Sequence, residues 1–74
     1  MAVYEVGKFI FLSSEQEKTI NLNNSYSNQL VIKLTPQNSN VNLYLSDVQN
    51  NYFTVKKNSN EEVNVNYIVI ESES

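Results

Sequence analysis

Short apolar segments recur along this chain at intervals of about ten residues, and clusters of Asn, Ser, Gln and Pro separate them. Regular spacing of this kind is typical of antiparallel sandwiches and barrels, whereas amphipathic helices repeat their apolar residues every 3.6 positions. We therefore predict an all-β fold, a small antiparallel β-sandwich of six strands. The predicted strands cover residues 3–12, 19–22, 29–35, 41–46, 52–55 and 62–70.

Residues 13–18 offer an alternative to extended structure. The run from Ser14 to Glu17 resembles the capping box that opens many helices. It has no apolar face behind it, so we expect one helical turn at most.

Alternation along each predicted strand indicates which side chains face the core, because successive residues point to opposite faces. Apolar side chains occupy every second position in most of the segments. The predicted inward residues are Ile20, Leu22, Leu30, Ile32, Leu34, Val41, Leu43, Leu45, Phe53, Val55, Val63, Val65, Tyr67 and Val69.

Three segments, residues 9–12, 30–32 and 68–70, are apolar on both faces. In a sandwich of this size only one face of a strand can look into the core, so the other face needs a second cover. That cover is another subunit, a neighbouring domain, or the chain's own loops and termini. We predict self-association through five residues: Phe9, Phe11, Val31, Ile68 and Ile70.

The length of the chain favours the same interpretation. Seventy-four residues lie near the lower limit for a stable single core, and with neither Cys nor His there is no disulfide and no ordinary zinc ligand set. Oligomerisation is the remaining common source of added stability.

Charge and hydropathy restrict the partners. The net charge is −3 and the chain contains no Arg, which argues against a nucleic-acid partner. No apolar run approaches the roughly 20 residues of a membrane span, and no signal peptide is recognisable, so we expect neither membrane attachment nor export. We interpret the adjacent Lys56 and Lys57 as a solvated loop entrance.

The residue types available for catalysis are few. Without His or Cys, a catalytic role would fall to carboxylates, and none of these lies in an apolar setting. Gly7 is the only glycine, so there is no phosphate-binding loop. We expect no enzyme activity and no cofactor. The carboxylates considered are Glu5, Glu15, Glu17, Asp47, Glu61 and Glu62.

Two kinds of ligand site remain to be considered. Asp47 with Asn50 and Asn51 supplies oxygen atoms, but the spacing matches no established calcium loop, and we predict no metal site. Exposed tyrosines can stack on sugar rings, and Tyr26, Tyr44 and Tyr52 are the candidates, with cross-strand packing as the alternative explanation. The predicted ligand or partner surface consists of Asn42, Tyr44, Asp47 and Tyr52.

The second half of the chain resembles an H-type lectin-like domain. The resemblance rests on a strand and turn at residues 41–51, on Tyr52-Phe53-Thr54-Val55, and on a last strand that ends in Tyr67-Ile68-Val69-Ile70. It implies a six-stranded antiparallel sandwich that forms trimers through apolar strand faces. Such domains occur in bacteriophage tail and fibre proteins and in sugar-binding lectins. The lectins place Asp, Arg and aromatic groups around the sugar, and this chain has neither Arg nor Trp.

We therefore predict one β-sandwich domain over residues 1–74, with a short acidic tail at 71–74. The predicted function is that of a non-enzymatic structural protein of a bacteriophage virion, a homotrimeric capsid decoration or cement protein or a fibre-associated protein. Its expected partners are its own copies and the major capsid or tail proteins, and its expected location is the virion, assembled in the host cytoplasm. The alternative function is a carbohydrate-binding lectin or adhesin module.

Overall fold

The structure, a computed structural model, describes residues 3–38 and 41–71, and these form an all-β fold. The six predicted strands are confirmed, and each boundary lies within two residues of its predicted position. The strands are β1 (Val3–Phe11), β2 (Glu17–Asn21), β3 (Leu30–Pro36), β4 (Leu43–Val48), β5 (Tyr52–Lys57) and β6 (Val63–Glu71).

The strands form two three-stranded antiparallel sheets. Sheet I has the order β1-β6-β3, and sheet II has the order β2-β5-β4. Among the six described strands, only β4 and β5 are both consecutive and adjacent, so they form a hairpin, and every other connection passes from one sheet to the other. The β5–β6 loop around Glu61 is one of these crossings.

The core lies between the two sheets and consists of the predicted alternating rows. Eight of its nine buried apolar side chains belong to the predicted inward set, and the ninth is Phe11, which is fully buried. Partly buried residues, among them Ile20, Leu34 and Tyr67, pack around it. The eight are Leu30, Ile32, Val41, Phe53, Val55, Val63, Val65 and Val69.

A tight turn, and no helix, follows β1. The Glu15 amide donates to the Leu12 carbonyl at 3.0 Å, and the Glu15 carboxylate accepts from the Leu12 amide at 2.8 Å. This reciprocal pair resembles the predicted capping box but spans Leu12 to Glu15, and β2 already begins at Glu17. The Leu12 amide, and after it Lys18, lowers the pKa of the Glu15 carboxyl.

Gly7 allows an aromatic side chain to lie over the backbone of β1. It is opposite Tyr67 on β6, and a side-chain carbon at Gly7 would lie only 2.5 Å from Tyr67 Cζ. The Tyr67 ring also packs edge-on against Phe53, with ring centroids 5.2 Å apart. Burial, together with the charge of Glu5, raises the pKa of the Tyr67 phenol.

Strand β6 runs to Glu71, so this first residue of the predicted acidic tail belongs to the sheet. Its carboxylate accepts hydrogen bonds from the Tyr4 hydroxyl, at 2.8 Å, and from the Asn28 amide. The other three residues of the predicted tail, 72–74, lie outside the described residues.

Candidate functional site

The outer face of sheet I carries exposed apolar side chains that are neighbours across three strands. In one row Val3, Ile70 and Val31 lie side by side, and in the next row Val6 lies beside Ile68. Val3 is 62% exposed, Val6 71%, Val31 43% and Ile68 36%, and Ile70 is half-buried between its neighbours. We call these five residues the apolar patch. Apolar side chains that are contiguous and exposed in this way are typical of protein–protein contact surfaces.

The charges on this face are all positive. Lys33 is paired with Ile68 across the strands, and Lys8 with Asn66 in the row that follows. Among the described outward positions of sheet I there is no carboxylate, although the chain as a whole has a net charge of −3. The face is therefore apolar with lysines on a protein that is acidic elsewhere. A shallow groove of about 570 Å³ crosses it between Val6, Lys8 and Thr35.

Three of the five residues predicted for self-association lie on this face: Val31, Ile68 and Ile70. Phe9 and Phe11 do not, and this part of the prediction is corrected. Phe11 is fully buried, and Phe9 packs against the core with its ring centroid 5.6 Å from that of Phe11.

The physical reason is the pairing of β1 with β6. Phe9 and Phe11 are opposite Val65 and Val63, which point into the core, so the two rings point inward as well. Ile10, on the other side of the strand, is exposed instead. Residues 9–12 are apolar at every position, so alternation alone could not choose between the two faces.

Val3 and Val6 are members of the apolar patch that the sequence analysis missed. The register of β1 against β6 shifts between Val3 and Glu5, which brings Val3 to the outer face with Val6. Nothing in the local sequence marks this irregularity. The sequence did contain one signal for the outward orientation of Val6, because Val6 lies in the same alternating row as Ile10.

The outer face of sheet II is polar and contains most of the predicted ligand surface. Tyr44, 56% exposed, is opposite Lys56, and Asp47 is opposite Thr54. Asp47 reaches the outer face because a register shift between Leu45 and Asp47 reverses the alternation of β4. The face is rich in hydroxyl groups, and Thr19 and Thr54 share a hydrogen bond of 2.9 Å.

The Asp47 carboxylate is held by its own neighbours. Tyr52 donates its hydroxyl to one oxygen at 3.1 Å, and Gln49 donates its amide to the other at 2.8 Å. The hydrogen bond and the charge of Asp47 raise the pKa of Tyr52. Tyr44, Asp47 and Tyr52 therefore share one face, with Tyr44 as its exposed aromatic ring.

Asn42, the fourth residue of the predicted ligand surface, lies just before β4. Its amide donates to the Asn58 side chain at 3.2 Å, and its carbonyl accepts from the Asn58 amide at 3.3 Å. These contacts fasten the start of β4 to the loop after β5.

The backbone carbonyls of Asn50 and Asn51 hold the loop that follows β2. They accept from the amides of Tyr26 and Leu22, both at 2.9 Å. Across residues 3–38 and 41–71, no three acidic side chains gather closely enough to hold a metal ion.

Tyr26, one of the three tyrosines considered for sugar stacking, packs within the protein. Its ring stacks on Tyr4 with centroids 4.2 Å apart, and its hydroxyl donates to the Glu5 carboxylate at 2.6 Å. The hydrogen bond to Glu5 raises the pKa of Tyr26. Glu5 also accepts from the Asn23 amide at 3.0 Å, so this cluster fastens the β2–β3 loop to β1.

Lys57 has a structural role, and the prediction that it lies at a solvated loop entrance is wrong. It is only 3% exposed, whereas Lys56 is partly exposed and lies 3.9 Å from Glu17. Lys57 Nζ donates to the carbonyls of Leu12 and Glu61, both at 2.8 Å, and lies 5.1 Å from the centroid of the Phe11 ring. The available signal was its position in the inward row of Phe53 and Val55.

No family model, curated protein or solved structure matches this chain. In the part of the chain that the structure describes, no helix has the length and apolarity needed to cross a membrane. The observations that bear on function are therefore the two outer faces, one apolar with lysines and one polar.

Proposed function

We propose that this protein is a non-enzymatic structural subunit that works by packing the outer face of sheet I against copies of itself. The single observation that carries the proposal is the apolar patch. It joins Val31, Ile68 and Ile70 to Val3 and Val6 in two adjacent rows. Burying a fully exposed Val or Ile side chain contributes roughly 1.5 to 3 kcal/mol, and each of these partly exposed side chains contributes less when it is covered.

The size of the chain supports the same proposal. A domain of 74 residues buries only about 60% of its unfolded surface, so its own core leaves a narrow margin of stability. Additional burial between subunits would increase that margin by mass action. The apolar patch is the largest group of exposed large apolar side chains on one face of the described residues.

The particular setting that we propose is a bacteriophage virion. There the protein would be a homotrimeric decoration or cement protein of the capsid, or a fibre-associated protein, in contact with major capsid or tail proteins. The support is the sequence resemblance to H-type lectin-like domains, together with a small β-sandwich that has one face suited to self-association. The trimeric state rests on the resemblance.

The test of self-association is the mass of the particle in solution, measured by light scattering. We expect the wild type to form an oligomer at micromolar concentration and Ile68→Asp to dissociate it, because a carboxylate, although it would lie opposite Lys33, would have to lose its water in the contact. The matched control is Tyr44→Asp, which places the same charge on the outer face of sheet II and should leave the mass unchanged. Circular dichroism checks that both variants fold.

A folded wild-type monomer at micromolar concentration would contradict the proposal. So would an Ile68→Asp variant that retains the full oligomer mass.

A second candidate function is carbohydrate binding by the outer face of sheet II. The observation that favours it is Tyr44, an aromatic ring 56% exposed on a face rich in hydroxyl groups. A glycan array tests it, with Tyr44→Ala as the variant expected to lose binding and Val6→Ala, on the other sheet, as the control. An array with no signal above background removes this candidate.

A further inference from the structure

The free edge of sheet I is formed by β1, and the hydrogen bonds of its neighbour β6 show which groups point toward it. The Gln37 amide, just after β3, donates to the Asn64 carbonyl at 2.9 Å, so Asn64 directs its backbone groups toward β3. In antiparallel sheets, alternate residues bond to opposite neighbours. Val65 and Tyr67 therefore bond to β1, and their partners there are Phe9 and Gly7.

It follows that Val6, Lys8 and Ile10 direct their N–H and C=O groups away from β6, toward the free edge. Leu12, the next residue in this alternation, agrees: its amide donates to Glu15 and its carbonyl accepts from Glu15 and Lys57. The opposite edge of the sheet agrees as well. The same alternation directs the backbone nitrogen of Pro36 in β3 away from β6. No ladder hydrogen bond at this edge needs an N–H donor, so a proline fits there.

Each of the other three edge strands has a feature that hinders the addition of another strand. Strand β2 has only five residues, including charged Glu17 and Lys18. Strand β3 ends in Pro36, and β4 has a register shift between Leu45 and Asp47. Strand β1 has nine residues, contains no proline, and keeps a regular register with β6 from Glu5 to Phe11.

Within the described residues, no strand pairs with this edge of β1. The three residues that point toward it also expose their side chains on the outer face, and Val6 is 71% exposed and Ile10 38%. In the described structure, the edge thus presents the backbone N–H and C=O groups of three residues without a partner strand. The side chains of the same residues form a row of two apolar groups and one lysine.

We propose that this edge binds β1 of a second copy of the chain. The two strands pair antiparallel about a twofold axis, and the two three-stranded sheets I join into one continuous sheet. The contact goes beyond the proposed function, because it uses the backbone edge of sheet I and not the outer surface of the apolar patch.

Charge and geometry select the register of this pairing. A twofold axis normal to the sheet keeps outward residues on one face, so Lys8 can lie opposite Ile10, Lys8, Val6 or Tyr4 of the second copy. Lys8 opposite Ile10 places Val6 opposite Leu12, whose amide and carbonyl are already bonded to Glu15. Lys8 opposite Lys8 places like charges side by side, which is unfavourable. Lys8 opposite Tyr4 moves the contact onto a residue already stacked on Tyr26.

The register with Lys8 opposite Val6 keeps the two lysines from lying directly opposite each other, and Tyr4 meets only Ile10 at the end of the pairing. Gly7 then lies opposite Gly7 of the second copy, where two side chains are absent at the axis. The aliphatic part of Lys8 covers Val6, the most exposed of the large apolar residues.

Amide hydrogen exchange of the wild-type protein, read by NMR at low and high concentration, tests the proposal directly. The amides of Val6, Lys8 and Ile10 should exchange rapidly in the dilute protein and become protected, by at least tenfold, when it associates. The amides of Gly7 and Phe9, already bonded to β6, are internal controls that should be protected at both concentrations.

Association without protection of these three amides overturns the edge contact and leaves self-association through the apolar patch standing. If an Ile68→Asp variant still associates fully and its three amides are protected, the edge contact is supported and the proposed function is overturned. A wild type that stays monomeric at millimolar concentration overturns both.

Two sets of variants test the backbone and the register. Lys8→Pro removes an N–H that no internal bond uses, so the variant should fold and the particle mass should fall by half, whereas Lys8→Ala should retain the mass. For the register, cysteines are introduced into a chain that has none. The double variant Val6→Cys with Lys8→Cys should form a covalent dimer on oxidation, and each single variant should not. A covalent dimer of either single variant overturns the register.

Discussion

At the scale of single residues, Lys57 is a buried lysine that contacts two loops at one end of the sandwich. It stands at the end of β5 and joins the loops after β1 and after β5 through the carbonyls of Leu12 and Glu61. A charged ammonium is buried there at 3% exposure because two carbonyls and the face of Phe11 replace its water. A lysine in an inward row is therefore as much a packing residue as its apolar neighbours.

Replacing Lys57 should destabilise the protein even with an apolar side chain of similar length. In Lys57→Met the Glu61 carbonyl loses the Lys57 donor and the Leu12 carbonyl keeps only the Glu15 amide, and we expect the free energy of unfolding to fall by about 2 kcal/mol. Urea denaturation measures the change. Lys56→Met is the matched control and should shift the value by less than about 0.5 kcal/mol, as is usual for surface positions. Equal effects of the two substitutions would show that Lys57 does not hold the two loops.

At the scale of secondary-structure elements, the turn between β1 and β2 depends on one carboxylate. Glu15 accepts from the Leu12 amide and contacts Lys18 Nζ at 3.3 Å. Both contacts favour the ionised form and lower the pKa of Glu15 from its ordinary 4.5. A carboxyl whose pKa is lower in the folded state contributes stability above its unfolded pKa, and that contribution is lost as the pH falls through the folded pKa.

We therefore expect Glu15→Ala to lower the melting temperature at pH 7 and to lower it less at about pH 2.5, because the contribution of the Glu15 carboxylate is lost as the pH falls through its lowered pKa. Thermal denaturation followed by circular dichroism at both values measures the difference. Glu17→Ala is the control, because the nearest cation to Glu17 is Lys56 at 3.9 Å. A melting-temperature difference that stays constant with pH would contradict this assignment.

Sequence alternation predicted the strands and the core well because strand periodicity is a local property. It did not predict the two register shifts, before Glu5 and before Asp47, which decide the orientation of Val3 and Asp47. It also could not orient Phe9, because that choice depends on pairing with β6, more than fifty residues away in the chain. The candidate surface was therefore predicted in β3 and β6, where alternation is clear, and missed in β1.

At the scale of the whole molecule, folding and association should be linked. The apolar patch covers part of one face of a small domain. Its burial between copies would stabilise the folded state and not the unfolded state. We expect the melting temperature of the wild type to rise with protein concentration between micromolar and millimolar values. The melting temperature of Ile68→Asp should depend less on concentration, because this variant loses the contact through the apolar patch and keeps at most the edge contact of β1. Differential scanning calorimetry measures both, and a wild-type value that stays constant would contradict the linkage.

The pairing of the first strand with the last has a consequence for how the chain can fold. Val3 is opposite Ile70 and Phe11 is opposite Val63, so sheet I cannot form until almost all of the described chain is available. Only the β4–β5 hairpin is local, and closing distant contacts costs entropy before the core repays it. We expect refolding in milliseconds to seconds, a rate typical of sandwiches. During synthesis, the apolar residues of β1 must remain exposed until β6 has left the ribosome.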